Sequence, residues 1–198
     1  FETLSLKGTE FYNVMSSSMK SSVKEIEGFE NIVEVGSSAL ENCYSLKKTL
    51  VITSKVKAIG SYAFRNSSGI TFDSVDVTGC SGNNSVGYNA FTGTTVKKLV
   101  VGSNGVRSVD NSGSTSYPFY NVKGFTTLQI KSGTSTLYNV LSDSMRKTIT
   151  EVTVPSSVKE IVSNTFSGCS LIKEIKLPKG IKINSKNFEN LNTKIVYY

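Results

Sequence analysis

"EVTVPSSVKEIVSNTFSGCSLIKEIKLP", Glu151 to Pro178, holds one full unit of the pattern that organises the chain. It opens on a strand-like run, EVTVP, and closes on another, EIKLP. In both, apolar residues alternate with variable ones, which puts one row of side chains into a core and the other on an exposed face. Between them stands IVSNTFSGC, where Ile161 precedes Phe166 by five residues and small polar residues supply a turn.

Working outward, the strand-like run recurs as TLSLK (Thr3 to Lys7), VKEIE (Val23 to Glu27), TLVIT (Thr49 to Thr53), SVDVT (Ser74 to Thr78), KKLVVG (Lys97 to Gly102), TLQIK (Thr127 to Lys131) and KIVYY (Lys194 to Tyr198). The apolar anchors Leu4, Ile26, Leu50, Val75, Leu99, Leu128, Val152, Ile175 and Ile195 are spaced by 22, 24, 25, 24, 29, 24, 23 and 20 residues. The middle motif recurs as VGSSALENC (Val35 to Cys43), IGSYAFRNS (Ile59 to Ser67), VGYNAFTG (Val86 to Gly93) and INSKNFEN (Ile183 to Asn190), with the same five-residue step. One such coil cannot close a core, so the coils must stack.

A longer echo supports this. YNVMSSSMKSSVKEI (Tyr12 to Ile26) returns as YNVLSDSMRKTITEV (Tyr138 to Val152) at an offset of 126, five periods of about 25, with seven of fifteen positions identical. These are equivalent outer turns of the first and sixth coils, products of duplication. Met15 and Leu141 take the Phe slot, and Met19 and Met145 follow four residues later, on one face of a short helix.

Composition removes several chemistries. The 198 residues contain no His, so Ser-His-Asp and Cys-His nucleophiles and His metal ligands are excluded. Three Cys, at 43, 80 and 169, form no C-x-x-C pair and no even disulfide set. Cys43 and Cys169 share one slot five coils apart and read as small buried fillers. Cys80 lies in a loop where exposure is open. Asp73 and Asp76 form the tightest Asp pair, but on a strand they point to opposite faces, so no carboxylate catalysis is expected. No calcium loop and no phosphate cradle is present, and no cofactor is expected. Apolar runs are of strand length, short of the roughly 20 residues that span a bilayer. Phe1 opens the sequence without a signal-peptide pattern, which reads as a mature or excised piece of a longer chain.

The unit resembles the BspA-like leucine-rich repeats of microbial surface proteins, in which a strand ending in Ile-Pro is followed by Ser-Val, Ile-Gly and Ala-Phe-x-x-Cys. Glu151 to Pro178 carries the likeness most fully, and SKVKAIGSYAFRNSSGI, Ser54 to Ile70, follows. MSSSM and LSDSM depart from the Phe-x-x-Cys turn. VDNSGSTSYPF, Val109 to Phe119, stretches the five-residue step to ten, and Pro is confined to 118, 155 and 178. The resemblance implies an α/β repeat solenoid: a right-handed leucine-rich-repeat superhelix, strand-rich, with short helical turns on its outer side. Residues 1–198 are expected to form a single solenoid of about eight coils, part of a longer surface protein.

By the same analogy, the residue after each anchor lines a concave face: Ser5, Glu27, Val51, Asp76, Val100, Gln129, Thr153, Lys176 and Val196. This mildly polar row suits contacts spread over several coils. The inserted stretch makes Tyr117 and Tyr120 a candidate contact loop. Lys57, Arg107, Lys159 and Lys182 each follow an apolar residue and form a candidate basic ladder. That ladder reads either as an anion-binding edge or as solvated flanks, and the interspersed Glu25, Glu34, Glu160 and Glu174 favour flanks. The expected function is a non-catalytic binding or adhesion module, extracellular or at the cell surface. The resemblance implies host matrix or cell-surface proteins as partners. A glycan- or polyanion-binding accessory and a structural spacer are the alternatives, and no nucleic-acid partner is expected.

Overall fold

The computed structural model describes residues 2–81, 85–103, 117–189 and 191–198. All nine strand-like runs are strands, at Thr3–Ser5, Glu25–Glu27, Lys48–Ile52, Ile70–Asp76, Lys98–Val101, Thr127–Ile130, Glu151–Thr153, Glu174–Leu177 and Lys194–Tyr197. Neighbouring strands pair in parallel: the first two with each other, the middle five in one sheet, and the last two with each other. Every connection between paired strands is a coil-long crossover, which takes the right-handed sense.

A second parallel ladder was not foreseen. The Val or Ile that opens each middle motif pairs with its counterpart one coil away. Glu10–Phe11, Glu34–Val35 and Ala58–Ile59 form one run, which continues through a bridge from Ile59 to Val86. Thr136–Leu137, Glu160–Ile161 and Lys182–Ile183 form another. Among the described residues the coils are therefore extended on two faces, and helix is confined to α1 (Ser17–Ser22), α2 (Asp143–Arg146) and two 3-10 turns. The reason lies in the turns that follow the second ladder. Positive φ recurs four residues apart at Ser38 and Asn42, Tyr62 and Asn66, Asn89 and Gly93, and Asn164 and Gly168, and a left-handed residue ends any helix that begins there.

The core is one apolar cluster that runs from Leu4 to Leu177. Its spine is the Phe slot, where the Phe64 and Phe91 rings lie 5.3 Å apart and the Phe91 and Phe119 rings stack at 4.8 Å and 8°. Phe119 thus returns to the column after the ten-residue step, although residues 104–116 lie outside those described. Met15, Leu141 and Met145 are buried, and Met19 packs half-buried at the first coil.

Gly36, Gly60 and Gly87 follow the second ladder in successive coils. A Cβ on Gly60 would lie 2.3 Å from the Ser37 backbone nitrogen, and one on Gly87 would lie 2.3 Å from that of Ser61. The backbones of adjacent coils touch there. Gly168 is different: its φ is +79° but a Cβ would meet nothing within 4 Å. Gly60→Ala is expected to cost about 3 kcal/mol through overpacking against rigid backbone. Gly168→Ala should cost only about 1 kcal/mol of left-handed strain. Urea midpoints at constant m-value check the difference, and equal losses would refute backbone contact as the cause.

Candidate binding surface

The outward residues of the nine strands form one face of the solenoid. Ser5 stands opposite Glu27 and donates a 2.9 Å hydrogen bond to its carboxylate. Asp76, Val100, Gln129 and Thr153 follow one another in unbroken register, and Lys176 pairs with Val196. The expected row breaks at Val51. A register shift pairs Leu50 with Phe72 but Val51 with Ser74, so Asp73 is an extra residue and Asp76 is not the neighbour of Val51. The bulge also corrects the expectation that Asp73 and Asp76 face opposite ways. With Phe72 and Val75 both buried, Asp73 and Asp76 lie on the outward side. Val51 is 49% exposed, whereas Val100 is only 8% exposed and offers little contact area.

The basic ladder does not form as expected. Lys57 hydrogen-bonds within its own turn to the Ser54 carbonyl, and Lys159 to that of Ser156. Lys182 pairs in register with Glu160 rather than aligning with Lys159, because the last coil is shortened. Its amine sits 2.8 Å from the Glu160 carboxylate, which raises the Lys182 pKa through that hydrogen bond and charge. Arg107 lies outside the described residues. Elsewhere the same alternation holds: Lys24 pairs with Glu2, Lys48 with Glu25, Arg65 with Glu41, Lys97 with Asp73 and Lys194 with Glu174, each across one coil. At these six sites a cation is paired with an acid of the neighbouring coil.

Tyr117 is a correction to the contact-loop expectation. It is 8% exposed, and its hydroxyl donates to the Val140 carbonyl of the next coil. Burial also raises its pKa. Tyr117 is thus a core residue in this structure, while Tyr120 remains exposed.

The duplicated turns also carry two cations that join successive coils. Lys20 donates to the Ser38 carbonyl at 2.5 Å, and burial lowers its pKa. Arg146, at the same offset of 126, donates to the carbonyls of Asn164, Thr165 and Ser167. Each clamps the left-handed turn one coil ahead. Retention of positive charge across the two copies was the available signal.

Among the described residues, no three His, Cys, Asp or Glu side chains form a group able to hold a metal. Cys43, Cys80 and Cys169 are all buried free thiols. Cys80 therefore belongs to the core, with its Sγ 3.5 Å from the Val56 carbonyl. Burial is the first cause that pushes each thiol up, to about 11. At pH 8 the folded protein should leave all three unreactive toward a thiol reagent, and urea should release three equivalents. Because the folded pKa lies above the ordinary thiol value near 9, the unfolded chain ionises first as pH rises. Stability should accordingly fall from about pH 9 toward pH 11. A rapidly titrating thiol in the native protein would contradict this placement.

Sequence comparison meets this geometry. The profile of the BspA type leucine-rich repeat region matches residues 15–113 and 84–198, with six copies. No curated protein matches. Among solved structures, a leucine-rich cell surface protein from Faecalibacterium prausnitzii is 18% identical with a TM-score of 0.45; the match covers 98% of this chain and 50% of that one. A leucine-rich repeat protein from Bacteroides ovatus is 16% identical with a TM-score of 0.28, covering 99% of this chain and 74% of that one. The chain spans about half the length of the first of these. The profile extends over most of the sequence, from residue 15 to residue 198, and the chain belongs to the BspA-type leucine-rich-repeat family.

Proposed function

We propose that this chain is a non-catalytic protein-binding module of an extracellular or cell-surface protein, which uses the outward face of its strands to adhere to a host matrix or cell-surface protein. In this reading residues 1–198 are one solenoid of about eight coils within a longer protein. The observation that carries it is the register from Asp76 through Gln129 to Thr153. It presents an ordered, mixed-polarity row across successive coils, the geometry that suits an extended partner. The groups that chemistry would need are engaged elsewhere. Asp73 is paired with Lys97, Asp76 accepts from Thr78, and the thiols are buried.

The polyanion reading is less favoured, since six cations each face an acid one coil away. The spacer reading is separated by mutation. Binding to immobilised fibronectin, laminin and collagen is measured for Gln129→Lys, Thr153→Glu and Lys176→Glu, with Lys57→Glu and Lys159→Glu as variants away from the row. Row variants should weaken binding about tenfold, near 1.4 kcal/mol, and the others should leave it unchanged. Absence of binding to every matrix protein, or equal binding by all variants, would favour a spacer. Flow-through on heparin at low salt is expected, and salt-dependent retention would restore the polyanion reading.

A further inference from the structure

The triplet Asn66-Ser67-Ser68 has no part in the binding face or in the ion pairs. It has the form Asn-x-Ser, the acceptor pattern for N-linked oligosaccharide. Asn66 and Ser68 are both exposed, whereas Ser67 between them is fully buried. The Ser67 hydroxyl donates to the Leu40 carbonyl and accepts from the Cys43 amide, so the middle residue anchors the turn and its neighbours face outward. Asn66 has a φ of 62°, and its backbone N–H donates to the Thr92 carbonyl at 2.8 Å. Its side-chain nitrogen donates to Asn42 Oδ1 at 3.1 Å.

The neighbouring coils leave room. Gly93 stands beside Asn66, and a Cβ there would lie 3.4 Å from the Asn66 Cα and 3.5 Å from its Oδ1. With glycine at that position, residue 93 adds no side chain beside the amide. A substituted Nδ2 retains one N–H, which suffices for the bond to Asn42. Asn42 and Asn121, in related turns, are followed two residues later by Tyr44 and Lys123 and lack the required hydroxyl.

We propose that Asn66 is an N-glycosylation site. The proposal rests on the extracellular reading above. In the transfer, Asn66 Nδ2 bonds to the anomeric carbon of an oligosaccharide carried on a lipid pyrophosphate. The bond from that carbon to the pyrophosphate oxygen breaks, the lipid pyrophosphate leaves with the electron pair, and Nδ2 gives up one proton. Ser68 supplies the hydroxyl by which the acceptor is recognised. The modification is made on the exported chain before Ser67 is buried.

The test uses the 198-residue chain behind a cleavable leader, translated with microsomes, and examines the protease-protected fraction. Asn83→Gln removes the other Asn-x-Ser triplet, at 83–85, which lies partly outside the described residues. In that background the expected result is a mass increment removed by peptide N-glycosidase, retained in Ser68→Thr, and lost in Asn66→Gln and in Ser68→Ala. The glycosylated protein should also unfold cooperatively at the same midpoint as the unmodified one. No glycosidase-sensitive increment in the protected fraction, an increment that survives Asn66→Gln, or a modified chain that fails to fold would overturn the proposal. Because the leader supplies entry, such failure bears on Asn66 alone, whereas natural export is read from the location of the untagged protein in its own cells.

Discussion

Backbone must lie against backbone at Gly60, and the neighbouring coils are arranged around that approach. A Cβ there would stand 2.3 Å from the Ser37 nitrogen, so the second ladder closes only with glycine at this point. Closing it lets Ile59 pair with Val35 on one side and bridge to Val86 on the other. The same stacking distance then brings Phe64 over Phe91 and lets the Tyr62 amide reach the Tyr88 carbonyl. Each coil satisfies its backbone groups through the next, in keeping with a core that no single coil can close.

The charges follow the same axis. An acid in one coil meets a base in the next at Glu2 and Lys24, Glu25 and Lys48, Asp73 and Lys97, and Glu174 and Lys194. Such exposed pairs contribute little stability individually. Their effect is on pattern: they break up single-sign blocks that would otherwise build along a stack of similar sequences. Lys20, which is buried, and Arg146, which is half-buried, are a different class, bonded to the carbonyls of the turn ahead. They join coils through the backbone rather than through an acid.

The strands were legible because period-two alternation and a repeat near 24 residues are local facts that any copy reports. Phe64, Phe91 and Phe166 were legible as core for the same reason, and they are fully buried. The second ladder was missed because two-residue strands carry no alternation of their own and exist only through a partner coil. Tyr117 was misplaced because its side chain is buried by the next coil, where the Val140 carbonyl receives its hydroxyl. Cys80 was left open for a similar reason, since what covers it is the coil that contains Val56.

The sequence by itself determined that the chain repeats, which residues anchor each coil, and that imidazole chemistry is absent. These depend on residue identity and spacing alone. Only the tertiary structure decided which side chains stand next to one another on the outward face. Val51 pairs with Ser74 and Ile52 with Val75, which leaves Asp76 two residues beyond the partner of Val51, and a shortened last coil moves Lys182 opposite Glu160. The physical reason is that register between stacked strands is set by hydrogen bonds between coils, and a slip of a single residue moves each side chain after it to a new neighbour.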